Sequence, residues 1–352
     1  MKDAVLFVLP HLAFGGAERL ATFIIRHLKN LGFTVLVAET GQHRNLPNAG
    51  EMWFAPLCPL HRLGHLTDLE AALLDLINRY GVSSLVICGR SPAYRCLPRL
   101  AGARPDLRVV SFQFNAIEGI ADNRRYAPYI DAVIAESLDA STALSGGDEW
   151  RMPIRVISSG VDVKSLAERP LAARSEGPLC VGYVGRFDRS KNPEGFVEMV
   201  RQVSTPDLRF VMAGAGPPVK NAPARVEQLG LLSGEALLTH MDRIDILVVP
   251  SRNDGRPMVI QEAQARRIPV VASCVGGIPE LVEHGVTGLL CAPKDTRGLA
   301  ETVDRLANDP ALRRRLADAA FERVRREGDI DGVLPLYTAA ITGSREFSAS
   351  AP

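Results

Sequence analysis

Residues 4–28 read AVLFVLPHLAFGGAERLATFIIRHL. The six apolar residues Ala4–Leu9 predict a strand buried on both faces, Gly15-Gly16 a turn, and Leu20, Phe23, Ile24 and Leu28 one stripe of a following helix. The same alternation recurs, with strands predicted at Thr34–Ala38, Leu85–Cys88, Val109–Phe112, Ala132–Ala135 and Ile154–Ile157, and a second helical stripe at Leu69, Leu73, Leu76 and Ile77. Such a chain is of the α/β class, with parallel sheets covered by helices.

The pattern breaks after Ser158-Ser159-Gly160-Val161-Asp162, where Val163–Pro178 is polar, carries two prolines and predicts no strand. A second series then follows, with strands near Cys180–Gly185, Arg209–Ala213, Ile246–Pro250, Pro269–Ala272 and Gly288–Cys291. Helical patterns close the chain at Leu299–Leu306, Leu312–Val324 and near Gly332–Ile341. Two tandem βα series in 352 residues predict two Rossmann-like domains, 1–162 and 163–330, followed by residues 331–352. Ligands of such sheets bind at the carboxyl ends of the strands, so the cleft between the domains is the expected active site.

Composition narrows the function classes. Lys and Arg number 41 against 40 Asp and Glu, a net charge of +1, so no global field favours nucleic acid, and any anion site must be local. The six cysteines form no C-x-x-C pair and read as reduced, mostly buried thiols of a cytoplasmic protein. The apolar run before Pro10 is too short for the core of a leader, and no stretch approaches the length of a membrane span.

Three segments carry candidate chemistry. Gly15 and Gly16 open a helix after the first strand, where free amides and close approach suit a phosphate or a sugar, although a tight turn alone would account for the pair. Gly185-Arg186-Phe187-Asp188-Arg189-Ser190-Lys191-Asn192-Pro193 leaves the first strand of the second series and places cations on one loop. Two cations there could neutralise a departing diphosphate; the bland alternative is a solvated basic loop. In Asp254-Gly255-Arg256-Pro257-Met258-Val259-Ile260-Gln261-Glu262-Ala263, Pro257 suits a first helical position, with Glu262 about one and a half turns in. Asp254 and Glu262 would then flank a helix N-terminus, as acceptors for hydroxyls beside donors for phosphate; separately they read as a turn aspartate and an exposed glutamate. Gly214-Ala215-Gly216-Pro217 is no dinucleotide fingerprint, Asp329-Ile330-Asp331 reads as surface, and His61 with His65 is a poor zinc pair beside Gly64.

Taken in order, these segments, together with Ser159-Gly160-Val161-Asp162, Pro250-Ser251 and Gly276-Gly277-Ile278-Pro279-Glu280, resemble the family 4 retaining glycosyltransferases from about residue 4 to about residue 340. The resemblance implies the GT-B fold, with two facing Rossmann-like domains, the acceptor mainly on the first, the nucleotide-sugar donor mainly on the second, and a last helix crossing back to the first. It matches Arg186 and Lys191 to the pair holding the donor diphosphate, Gly16 to the glycine approaching it, and Glu262 to the carboxylate that bonds ribose. Asp254 matches the carboxylate near the transferred sugar, and Gly255, Met258 and Val259 match the amides facing phosphates and sugar. Gly15 and Gly185 complete the donor set. No metal or other cofactor is implied.

This chain departs from the family at Asp254, where glutamate is usual, which puts sugar contacts or activity in doubt. It also departs at Ser111-Phe112-Gln113-Phe114-Asn115, which lacks the family's usual histidine and leaves Gln113 or Asn115 to meet acceptor or sugar. The segment Val219–Asp245 is shorter than usual and assigns no nucleobase contacts. The expected activity is hexose transfer from a nucleoside-diphosphate sugar to a hydroxyl of a glycan, lipid-linked saccharide or small molecule. The rivals are a sugar-nucleotide 2-epimerase, for which the sequence offers no acid/base pair, and a donor-binding protein without turnover. Peripheral contact with the inner membrane face rests on Arg313–Arg315, Arg323, Arg325 and Arg326, which a solvated helix face also explains.

Overall fold

Strands buried on both faces need a parallel sheet with helices above and below it, and the chain builds two. The computed structural model describes residues 3–13, 15–41, 50–146, 150, 152–169 and 177–344. They divide into one unit up to Ser159, joined by the residues from Asp331 onward, and a second unit, Gly160–Ile330.

In the first unit, β1 (Ala4–Leu9), β2 (Thr34–Glu39), β3 (Leu60–Arg62), β4 (Val82–Cys88), β5 (Arg108–Gln113), β6 (Ala132–Ala135) and β7 (Ile154–Val156) form a parallel sheet in the order β3-β2-β1-β4-β5-β6-β7. All of β1 is buried, in register with β2 from Ala4↔Thr34 to Leu9↔Glu39. Helix Gly16–Asn30 follows it and buries Leu20, Ile24, Ile25 and Leu28, with Phe23 half-buried beside the stripe. Helix Leu69–Tyr80 is capped by Asp68, which accepts from the Ala71 amide at 2.9 Å, and ends at Gly81 in the left-handed region (φ 61°).

Helix Ile330–Thr342 belongs to this unit. The Tyr337 hydroxyl donates to the Ile157 carbonyl (2.9 Å), the Tyr337 ring lies 5.6 Å from that of Phe112, and Arg108 donates through Nε and Nη2 to the Ala340 carbonyl (3.2 and 3.1 Å). A cation at the last turn of a helix suits both its unpaired carbonyls and its dipole.

The second unit begins with a helix where none was expected. Val163–Glu168 is helical, and the Asp162 carboxylate caps it by accepting from the Ser165 amide (2.8 Å). Residues 170–176 of the expected linker lie outside the described residues. The sheet comprises β8 (Cys180–Val184), β9 (Arg209–Ala213), β10 (Val226–Gly230), β11 (Ile246–Val249), β12 (Val270–Ser273) and β13 (Leu289–Cys291), all parallel, in the order β10-β9-β8-β11-β12-β13. The unit closes on itself: the Val161 amide donates to the Gly328 carbonyl and the Ile330 amide to the Val161 carbonyl, both at 2.9 Å. A Cβ on Gly160 would stand 2.8 Å from the Gly328 oxygen, which explains the glycine at this crossing.

The arginines held open for membrane contact are mostly engaged within the unit. Arg313 donates to the Ala307 carbonyl (2.9 Å), Arg315 to Gly285 (3.1 Å) and Arg323 to Glu280 (2.8 Å), while Arg325 and Arg326 pair with Glu322 and Glu327. Among the described residues, no helix is long and apolar enough to cross a membrane. The six cysteines are free thiols and only Cys274 is exposed; burial pushes Cys58, Cys96 and Cys180 up to about 11.

Candidate donor site in the second unit

Parallel strands put all their carboxyl ends on one edge, and in the second unit four loops meet there. They follow β8, β9, β11 and β12, and short-range contacts lock them together. The Phe187 amide donates to Ala215 (2.6 Å), that of Arg252 to Ser190 (2.8 Å) and that of Gly277 to the Asp254 carbonyl (3.1 Å). Asn192, at the left-handed φ of 54°, donates through Nδ2 to the Pro250 carbonyl (2.9 Å) and accepts from Arg252 Nε (2.9 Å).

Two glycines are dictated by this convergence. A Cβ on Gly214 would lie 1.7 Å from the Gly185 carbonyl oxygen, and Gly276 combines φ 53° with a Cβ position 1.9 Å from the Asp254 oxygen. Both obstacles are backbone, so no rotamer change relieves them. Gly214→Ala is therefore expected to cost about 1–3 kcal/mol by displacing the Gly185 loop, read as a lower denaturation midpoint together with weaker nucleotide binding.

The expected basic pair sits on this edge, each cation beside a carboxylate. Arg186 Nε donates to Asp188 Oδ2 at 2.7 Å, and Lys191 Nζ to Asp254 Oδ2 at 2.5 Å. The Arg186–Asp188 pair is half-exposed, whereas Asp254 is 8% exposed and also accepts from the Ser251 hydroxyl at 3.1 Å. Asp254 is thus buried in polar company, and the shorter side chain reaches Lys191. A buried carboxylate needs such partners.

Helix Met258–Ala265 points its N-terminus at the same edge. Pro257 is its N-cap rather than its first helical residue, because its ψ of 111° is extended, and no side chain caps the helix. The helix therefore starts one residue later than expected, leaving the Met258 and Val259 amides without a side-chain cap and Glu262 about one turn in. Glu262 is 4% exposed rather than a surface glutamate, and Gly255 and Met258 are also buried.

In the first unit, Gly15 is the extended N-cap (φ −151°, ψ 168°) of helix Gly16–Asn30, again with no side-chain cap. Sequence reasoning missed a pair there: His11 Nε2 lies 3.5 Å from Oε1 of the buried Glu18. The readable signal was a histidine just after the strand and a carboxylate in the first turn of the next helix. Gln113 and Asn115 are used within their own loop. Gln113 is 1% exposed, donates to the Asn115 and Glu118 carbonyls and accepts from Asn123 Nδ2 (2.9 Å). Asn115 Oδ1 accepts from the Ile117 and Glu118 amides at 2.9 and 2.7 Å. These bonds shape the turn after β5. Among the described residues, no three His, Cys, Asp or Glu side chains are grouped to hold a metal.

Residues 167–323, which contain all four loops, match the family model for glycosyl transferases group 1. Glycogen synthase of Mycobacterium tuberculosis is 33% identical over 210 residues, covering 55% of this chain and 50% of that protein. D-inositol 3-phosphate glycosyltransferase 1 of Catenulispora acidiphila is 31% identical over 240 residues, covering 60% and 57%. The chain spans about half the length of the curated relatives it matches. Among solved structures, Anabaena HepE in complex with UDP-glucose aligns with a TM-score of 0.78 at 19% identity, over 97% of this chain and 100% of its own. Sucrose-phosphate synthase of Thermosynechococcus elongatus aligns at 0.79 and 21% identity, over 99% and 100%; at such identities the likeness is one of fold. The second unit thus carries the match to the group 1 glycosyl transferases, and with its two parallel α/β units the chain has the GT-B fold.

Proposed function

We propose that the protein transfers a hexose from a nucleoside-diphosphate sugar to an acceptor hydroxyl with retention of anomeric configuration. The observation that carries this reading is the joining, on one sheet edge, of Arg186, Lys191 and an uncapped helix N-terminus with two buried carboxylates, Asp254 and Glu262. Negative charge grows on the diphosphate as the glycosidic bond breaks, and fixed cations and amides stabilise that charge most in the transition state. The acceptor hydroxyl attacks from the face the diphosphate leaves and passes its proton to the departing phosphate oxygen. Lys191 would exchange its contact with Asp254 for the diphosphate, freeing that carboxylate for a sugar hydroxyl; Glu262 would accept from ribose. The acceptor is a glycan, a lipid-linked saccharide or a small molecule, taken up by the first unit, and the protein works in the cytoplasm without a metal.

The 2-epimerase reading gains one observation: His11 beside Glu18 is an acid/base couple of the kind that proton movement at a sugar requires. Isomerised donor in the absence of acceptor would favour it.

The test is a thermal-shift screen against UDP, GDP, ADP and dTDP and their sugars, with EDTA present. HepE has been crystallised with UDP and with UDP-glucose, so uridine is the first base to try. A nucleotide at 100 times its dissociation constant adds about 2.7 kcal/mol. One nucleotide is expected to raise the midpoint, with the shift lost in Arg186→Ala. No shift with any of the four would overturn the donor site.

A further inference from the structure

We infer that Asp188 is a positioning residue for the diphosphate pair, setting the directions of Arg186 and Lys191 from a single carboxylate; this rests on the donor-site reading above. The two oxygens of Asp188 have different partners. Oδ1 accepts from the Ser190 amide (2.9 Å), the Ser190 hydroxyl (2.5 Å) and the Lys191 amide (3.1 Å), and so folds the loop into a turn. Oδ2 accepts from Arg186 Nε at 2.7 Å.

A planar guanidinium held at Nε has its fork of donors aimed by that one bond. Lys191 is aimed through its backbone, since its amide is fixed by Oδ1 while its ammonium reaches Asp254. The rest of the loop braces both residues: the Tyr183 hydroxyl donates to the Arg186 carbonyl (2.7 Å), and the Asn192 amide to the Asp188 carbonyl (3.0 Å). Burial opposes ionisation here, yet Arg186, the Ser190 hydroxyl and the Lys191 amide together hold the Asp188 carboxyl below the ordinary carboxylate range.

A turn-forming aspartate with no other role needs only Oδ1, and asparagine supplies that acceptor. Asp188→Asn therefore separates the two functions, because it keeps the turn and removes the negative charge that faces Arg186. Whichever of UDP, GDP, ADP and dTDP the wild type binds is titrated into wild type, Asp188→Asn and Asp188→Ala, alongside the matching nucleoside. Asp188→Asn is expected to keep the wild-type melting temperature and nucleoside affinity, to weaken the diphosphate about three- to tenfold, and to lower kcat by more than it raises KM. Asp188→Ala is expected to lose at least as much diphosphate affinity. The inference is overturned if Asp188→Asn binds the diphosphate within twofold of wild type, or if diphosphate and nucleoside weaken together. A wild type that binds none of the four diphosphates overturns the donor-site reading itself, and the positioning role with it.

Discussion

Alanine at Arg186 or at Lys191 lowers transfer turnover by roughly 10²–10³-fold, the usual effect of removing one preorganised donor from a site where charge develops. The two variants differ in stability. The Arg186–Asp188 pair is half-exposed, so its loss barely moves the denaturation midpoint. Lys191→Ala instead strips the ammonium from the buried Asp254 carboxylate, leaving the Ser251 hydroxyl as its remaining described side-chain partner, and its midpoint falls. Steady-state turnover paired with thermal denaturation checks this, and Lys191→Ala/Asp254→Asn should recover part of the midpoint with none of the turnover. Near-normal turnover in both single variants would remove the basic pair from the mechanism.

Asp242→Ala destabilises the second unit by about 3–5 kcal/mol, the cost of leaving a buried charge without its partner. The Asp242 carboxylate accepts from Arg266 Nε (2.8 Å) and Nη2 (2.5 Å) through Oδ1, and from Arg169 Nε (2.7 Å) through Oδ2. The Arg266 side chain is 2% exposed and also donates to the Arg169 carbonyl (2.7 Å). Asp242 and Arg266 are the C-caps of helices Gly234–Met241 and Met258–Ala265, so one ion cluster ties two helix ends to the segment after Val163–Glu168. At its outer end Arg169 meets Glu235, which is 74% exposed, and Glu235→Ala is expected to cost less than about 0.5 kcal/mol. Urea unfolding followed by far-UV circular dichroism is the right probe, because Trp53 and Trp150 both lie in the other unit. Equal effects of Asp242→Ala and Glu235→Ala would refute this ranking.

What the sequence made legible follows burial. Strands in the middle of the sheets, such as Ala4–Leu9 and Arg209–Ala213, are buried apolar runs, Arg209 excepted, and were readable to the residue. The missed strands, β3 and β10, are both edges. Leu60–Arg62 and Val226–Gly230 are paired on one side only, so they carry His61, Arg62, Glu227 and Gln228 and lose the apolar signature. At the site, the loop bearing Arg186 and Lys191 was readable, and the helix start to within one residue, because loop and helix chemistry is local. The contact of Lys191 with Asp254 spans 63 residues and no pattern announces it. Gln113 and Asn115 are the opposite case. Polar residues after a strand look available, and only the fold reveals that their own loop uses them. The helix after Asp162 was missed although its signal was local: an aspartate cap followed by Val-Lys-Ser.

The chain leaves the first unit after Ser159 and re-enters it at Asp331. Synthesis proceeds from the N-terminus, so the helix bearing Tyr337, which reaches the Ile157 carbonyl, emerges only after the whole of Gly160–Ile330. The second unit, whose two ends are bonded to each other, can therefore finish folding first, while the earlier-made sheet waits for its final helix. The second unit thus has all of its residues before the first has its last helix, so the order of completion can be the reverse of the order in which the two units are begun.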